Sequence, residues 1–296
     1  MRKNAWLFPG GLILLSAAGA LLRAIELRTA LDSATMLMDF GLPSLLLLVL
    51  SALVLVILAL LARKAALQDL PRRYGSCFGG LLTLAAAVPA LALAAAGALL
   101  CLRARSSGSE LRIFLSVLGG LAALSGAAWL ALGLDGWRKK KEDSFLSAVL
   151  PVFFCGFFLV VFYKTYAQKP ALLYTLYPFL GLCAALGALH LIAGFTVDRV
   201  RPRLTLFLCS AGCYLCIVAL AGIPETAYQL FLGAIALELA AHGTAMLLPH
   251  PAEPEKADAD NAAEDAAPAE KPDAPAEETD APAEESDVPS EPGDGT

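Results

Sequence analysis

Long apolar runs separated by short polar segments fill the first 248 residues of the chain. Crossing a hydrocarbon core of about 30 Å takes roughly 20 apolar residues in a helix. Eight runs reach that length: Trp6–Leu22, Pro43–Ala62, Phe78–Leu102, Leu111–Leu134, Ser144–Tyr163, Ala171–Phe195, Leu204–Ile223 and Leu230–Leu248. They lack the polar–apolar alternation of membrane β-barrel strands. The pattern therefore predicts an all-α, polytopic integral membrane bundle of about eight transmembrane helices.

The composition agrees with this pattern. Hydrophobic residues make up 58% of the chain and charged residues 17%, and the mean hydropathy is +0.66. Soluble domains hold about 45–50% apolar and about 25% charged residues. A water-exposed surface needs more polar residues than this chain has, so we expect the lipid bilayer to surround most of it.

Lys and Arg residues are distributed unevenly between the two sides of the predicted bundle. The side that holds the N-terminus carries 13 of them before residue 249, and the opposite side carries 7. Since positively charged loops stay in the cytoplasm, we expect a cell-membrane protein with both termini cytoplasmic. The first run has an alternative interpretation, because Arg2 and Lys3 followed by an apolar run and Ala18-Gly19-Ala20 resemble a secretory signal with its cleavage site. Cleavage would leave seven spans.

The longest predicted connection, residues 23–42, mixes charged and apolar residues on the outer side. Its charged residues are Arg23, Glu26, Arg28, Asp32 and Asp39. Two interpretations are open. The segment is either a short amphipathic helix at the level of the lipid headgroups or an exposed extension of the first span.

The chain changes abruptly to Pro, Ala, Glu and Asp after residue 248. Residues 251–296 have a net charge of −14, whereas residues 1–250 have a net charge of +9. Three units of seven residues stand in tandem, at 267–273, 274–280 and 281–287. Each contains proline, and none has the two apolar positions of a coiled-coil heptad. We predict a disordered acidic tail, acting either as a solvated spacer or as a competitor for the basic cytoplasmic loops.

One charged residue lies deep inside an apolar run. Glu238 is near the middle of the last span, and His242 follows one helical turn later on the same face. An ionised carboxylate there costs several kcal/mol unless it is paired or hydrated, so we expect it to face other helices. His190, in the sixth span, is a third candidate for the same cluster. The group is either a proton relay, cation site or ligand anchor, or a structural hydrogen bond between helices.

The seventh span carries three cysteines on one helical stripe, Cys209, Cys213 and Cys216. The last two form a CxxC motif, which suggests a thiol-redox enzyme. Their position near mid-membrane favours the other interpretation, in which they are small residues that allow close helix packing. A metal site is less well supported, because His242 does not complete an HExxH motif with Glu238.

Two further sets of residues predict packing and depth. Small residues recur along one face of the fourth span and predict close helix approach there; they are Ser116, Gly120, Ala123 and Ala127. Tyrosines gather near the outer end of the fifth and sixth spans and predict an interfacial aromatic belt; they are Tyr163, Tyr166, Tyr174 and Tyr177.

These features leave three classes of function open. The first is a small permease for a solute or ion, coupled to protons through Glu238, His242 and His190. The second is a non-catalytic scaffold or accessory subunit that binds other membrane subunits. The third is an intramembrane thiol-redox or metal enzyme. No motif for a nucleotide or other cofactor is present, and the scattered basic residues do not favour nucleic-acid binding.

Overall fold

The computed structural model describes residues 7–30, 41–65, 80–105, 109–137, 145–166, 172–197, 199 and 201–247. They form eight α-helices: α1 (Leu7–Ala30), α2 (Leu42–Lys64), α3 (Gly80–Ala104), α4 (Ser109–Trp137), α5 (Phe145–Tyr166), α6 (Leu172–Phe195), α7 (Pro202–Leu220) and α8 (Thr226–Leu247). Each contains a segment long and apolar enough to cross a membrane. The prediction of an all-α multi-pass membrane protein is confirmed. The acidic tail, with both of its interpretations, lies outside the described residues.

Helix α1 is the one helix whose predicted bounds differ from the structure by more than four residues. The first span was expected to end at Leu22, but α1 continues to Ala30. Arg23 and Glu26 are therefore helical, and both side chains are buried. The segment therefore extends the first span as far as Ala30, as one interpretation expected. Its expected exposure is wrong for these two residues, and so is the separate amphipathic helix, because either would leave them in water. The rest of that segment, 31–40, lies outside the described residues.

Helices α3 to α8 form a closed ring. Each packs against the next along the chain, and α8 packs against α3, which completes the circle. We refer to the space that these six helices enclose as the ring interior. Helices α1 and α2 lie outside the ring and pack on α7, with a smaller contact between α1 and α8. Consequently α7 and α8 are the most deeply buried spans.

Helix α2 shows which surface of the bundle faces lipid. Its buried residues recur every three or four positions along one stripe; they are Ser44, Leu47, Ser51, Val54, Leu58 and Ala62. The rest of the helix exposes large apolar side chains such as Leu48, Leu53 and Val56. An apolar surface this continuous is rare on a soluble monomer and is expected where acyl chains replace water.

Helices α3 and α4 approach each other most closely, through glycine. A Cβ added to Gly97 would lie 2.6 Å from the carbonyl oxygen of Gly119, and one added to Gly126 would lie 2.7 Å from that of Ala90. The predicted stripe on α4, from Ser116 to Ala127, is instead on the exposed surface of the helix. The expectation that α4 packs closely against another helix holds, but the face of α4 predicted to do so was wrong.

Candidate functional site

Glu238 and His242 form a buried pair on α8. The Nε2 atom of His242 lies 3.2 Å from Oε1 of Glu238, and each side chain is only 1% exposed. Their spacing of four residues brings them onto one face of the helix, as the sequence predicted. The pair therefore lies inside protein rather than against lipid.

The face of α8 that carries this pair also carries aromatic residues. Tyr228, Phe231, Ile235, Glu238 and His242 follow one another at spacings of three or four residues and are all buried. The rings of Tyr228 and Phe231 contact α5, which stands across the ring interior. Glu238 is seven residues, or two turns, beyond Phe231, so it projects into the same interior. Leu237, next to it in sequence, is 51% exposed on the opposite face.

Six aromatic side chains fill the end of the ring interior where α5 ends and α8 begins. We call Phe154, Phe158, Phe162, Tyr166, Tyr228 and Phe231 the aromatic cluster. The ring of Phe231 lies 5.3 Å from that of Phe154 and 5.2 Å from that of Phe158, both edge to face. At the far end the rings of Phe162 and Tyr166 are 4.6 Å apart. Tyr166 and Tyr177 are thus buried, and within the predicted aromatic belt only Tyr163 has a described exposed side chain.

Glu238 has a second carboxylate oxygen whose hydrogen-bonding capacity is unused. Within the described residues, Oε2 of Glu238 is buried without a hydrogen-bond partner. A buried polar atom left unpaired costs roughly 1–3 kcal/mol, and more when it is charged. A structural hydrogen bond needs only one of the two oxygens. The other is available to a proton, a cation or a hydrogen-bond donor.

His190 does not join this pair. It lies on α6 with an exposed side chain, whereas Glu238 and His242 are buried. Its position around the α6 axis turns it outward. The three-residue cluster that we expected therefore reduces to two residues in this structure.

The cysteines of α7 are packed between helices. Cys209, Cys213 and Cys216 are all buried, and each of the six cysteines in the described segments is a free thiol. A Cβ added to Gly181 of α6 would lie 3.1 Å from Sγ of Cys216, so the sulfur sits where two helices nearly touch. This placement is the one that small packing residues take. Among the described residues, no three His, Cys, Asp or Glu side chains lie close enough together to hold a metal ion.

A second buried polar group was missed by the sequence analysis. Arg23 and Glu26 form an ion pair on α1, and the guanidinium of Arg23 lies 5.2 Å from the centre of the Tyr177 ring. The hydroxyl of Ser51 on α2 is 3.1 Å from the hydroxyls of both Tyr177 and Tyr214. We call these five residues the α1 network; it joins α1, α2, α6 and α7.

A signal for the α1 network was present in the sequence. Ser16, Gly19, Arg23 and Glu26 recur at spacings of three and four, which is the stripe of a helix that packs against protein. The structure buries all four, with Gly19 against Tyr214 and Val218 of α7. The stripe outweighs the charge of Arg23 as an indicator of where α1 ends.

No family model, no curated protein and no solved structure matches the chain.

Proposed function

We propose that this protein is a small permease of the cell membrane, which moves a solute or an ion and couples that movement to proton binding at Glu238. The observation that carries the proposal is the unpartnered Oε2 of Glu238, buried in the interior of a six-helix ring. Intramembrane ionisable residues commonly mark substrate or proton pathways. His242 lies at hydrogen-bond distance from the Glu238 carboxylate and can exchange a proton with it.

The occluded position of the pair fits an alternating mechanism. With both side chains only 1% exposed, neither face of the membrane reaches Glu238 directly in this arrangement. The aromatic cluster covers one end of the ring interior. A transport cycle would require these helices to separate on one side at a time, as in other carriers whose sites lie near the bilayer midplane.

The proton part of the proposal can be measured in proteoliposomes that contain a pH-sensitive dye. With an imposed membrane potential and a mixture of amines, amino acids and sugars outside as candidate substrates, the wild-type protein should carry protons inward. Glu238→Gln should reduce that flux to the level of empty liposomes. Glu225→Gln is a matched control, because Glu225 lies just before α8 in a partly exposed ion pair with Arg103 of α3, about 20 Å from Glu238 by helical rise. The proposal fails if Glu238→Gln, folded as judged by its melting curve, carries protons as fast as the wild type.

The competing candidate is a non-catalytic scaffold or accessory subunit. It is favoured by the same burial, because a pair sealed inside the most buried helix can simply hold α8 in place. In that case Glu238→Gln would change assembly with partner subunits but no flux. A thiol-redox enzyme is supported only by the Cys213–Cys216 spacing, and reaction of those thiols with maleimide in intact membranes would revive it.

The orientation is also a proposal. If each of the eight helices crosses the membrane once, the start of α1 and the end of α8 lie on the same side. Arg23 is buried in α1, so the charge difference between the loops of the two sides is larger than the sequence count suggested. We infer that both termini face the cytoplasm. A reporter that is active only outside the cytoplasm, fused after residue 250, should be silent.

A further inference from the structure

A second unpartnered polar atom faces the ring interior. Nε1 of Trp129, on α4, is buried and has no hydrogen-bond partner within the described part of the chain. Trp129 lies one turn beyond Gly126, which faces α3, and one turn beyond Ser125, which donates a hydrogen bond to the carbonyl of Leu150 on α5. Its indole therefore projects between those two helices, toward the ring interior.

The two unpartnered atoms are complementary in chemistry. When Glu238 is ionised, its Oε2 can accept a hydrogen bond but not donate one. The Nε1–H of Trp129 can donate a hydrogen bond but not accept one. Both side chains are buried to within 2%. Native protein interiors contain few buried polar atoms without a hydrogen-bond partner, and a bound ligand, water or ion is one common reason for them. A ligand that presents a donor to Glu238 and an acceptor to Trp129 would satisfy both at once.

The surroundings of Glu238 favour a cationic donor. The aromatic cluster begins at Phe231, about 10 Å along α8 from Glu238 by helical rise. Its rings are too far from Glu238 to attract a cation bound there, and they instead provide an apolar wall for the uncharged part of a ligand. Because little water reaches the interior, the attraction between a carboxylate and an ammonium ion is stronger there than at the surface.

We propose that the ring interior binds a small organic ammonium ion with an aromatic or apolar body. The ammonium group donates a hydrogen bond to Oε2 of Glu238, while Oε1 remains paired with His242. The body lies toward Phe154 and Phe231, and a hydroxyl on the ligand accepts the N–H of Trp129. The inference rests on the proposed permease function and names the class of its substrate.

Phenethylamine is a suitable probe, since its ammonium group and ring are separated by two carbons. Binding to the full-length protein in detergent micelles is measured by equilibrium dialysis. The wild type should bind it saturably, Glu238→Gln should weaken binding by about tenfold or more, and Glu225→Gln should bind as the wild type does. Phenethyl alcohol, which has the same ring without a charge, should fail to displace the amine.

Any one of three results overturns the inference. The first is the absence of saturable binding of phenethylamine to the wild type. The second is equal affinity of the wild type and Glu238→Gln for phenethylamine, and the third is displacement by phenethyl alcohol at the same concentration as by the amine.

Trp129→Phe provides a second test that does not depend on the Glu238 variant. It keeps an aromatic ring but removes the N–H. The preference of the wild type for phenylethanolamine over phenethylamine should fall severalfold in Trp129→Phe, because only the hydroxylated amine accepts that hydrogen bond. An unchanged preference would contradict the placement of the ligand.

Failure of this inference is distinguishable from failure of the proposed function. Glu238-dependent proton flux without amine binding would leave a permease whose substrate is of another class. Amine binding that depends on Glu238, in liposomes that show no proton flux when the amine is added outside, would identify a binding protein and remove the transporter.

Discussion

The α1 network and the Glu238–His242 pair are both buried and polar, but they differ in location and in hydrogen bonding. The network lies outside the ring, where α1 and α2 meet α6 and α7. Within the described residues, none of its buried side-chain nitrogen and oxygen atoms lacks a partner. The pair lies inside the ring and leaves one carboxylate oxygen unpartnered.

This difference separates two uses of buried polarity in a membrane bundle. A network with its hydrogen bonds complete holds helices together and gains nothing from a further ligand. A pair with an unsatisfied buried acceptor carries a desolvation cost, and a bound proton or ligand can remove that cost. We therefore expect substitutions in the network to act on stability and substitutions in the pair to act on function.

The largest effect on stability should come from Arg23→Ala. The substitution leaves the Glu26 carboxylate buried without its cation, and breaking a buried pair in this way costs ~3–5 kcal/mol. Unfolding in mixed detergent micelles, followed by circular dichroism, measures the change. Arg28→Ala is the matched control, since Arg28 is exposed on the same helix. Equal effects of the two substitutions would mean that the network does not anchor α1.

An intermediate effect is expected for Ser51→Ala, which removes the hydroxyl bonded to Tyr177 and Tyr214. Interhelical hydrogen bonds of this kind contribute about 0.5–1.5 kcal/mol. Ser44→Ala is a close control, because Ser44 is also buried on α2 but its hydroxyl has no partner among the described residues. The same unfolding assay should show a loss for Ser51→Ala and no loss for Ser44→Ala. If both behave alike, the hydroxyl bonds contribute nothing.

The smallest effect on stability should come from Glu238→Gln. Glutamine keeps the shape of the side chain and can still hydrogen-bond to His242, so we expect a change below about 1 kcal/mol. The same variant should abolish proton flux. Substitution in the pair would then affect function more than stability, and substitution in the α1 network would affect stability more than function. A loss as large as that of Arg23→Ala would instead identify the pair as a helix anchor and favour the scaffold.

The candidate site was predictable in part. The spacing of Glu238 and His242 places them on one helical face whatever the fold, because the helical repeat is local. The direction of that face was not predictable, since it depends on which helices surround α8. The same holds for His190, whose position around α6 only the packing reveals. Trp129 and the aromatic cluster are distant in sequence from Glu238, and no spacing rule connects them.

Helices α1 and α4 show how a correct local signal can lead to a wrong conclusion. A charged residue inside lipid is costly, so the sequence predicts that the first span ends before Arg23. The ion pair with Glu26, one turn later, and the contact with the Tyr177 ring of α6 offset part of that cost. On α4 two faces carry small residues, and the one with Gly119 and Gly126 packs because Gly97 of α3 meets it.

The sequence by itself determined that this protein spans a membrane with eight helices, and it singled out the acid and the histidine of α8. Those properties follow from transfer free energies and helical geometry, which act along the chain and need no knowledge of neighbours. Only the tertiary structure decided that α3 to α8 close into a ring, that Glu238 points into it, and that Arg23 is buried. Each of these depends on side chains brought together from different helices, and apolar helices can rotate in lipid until specific contacts fix them.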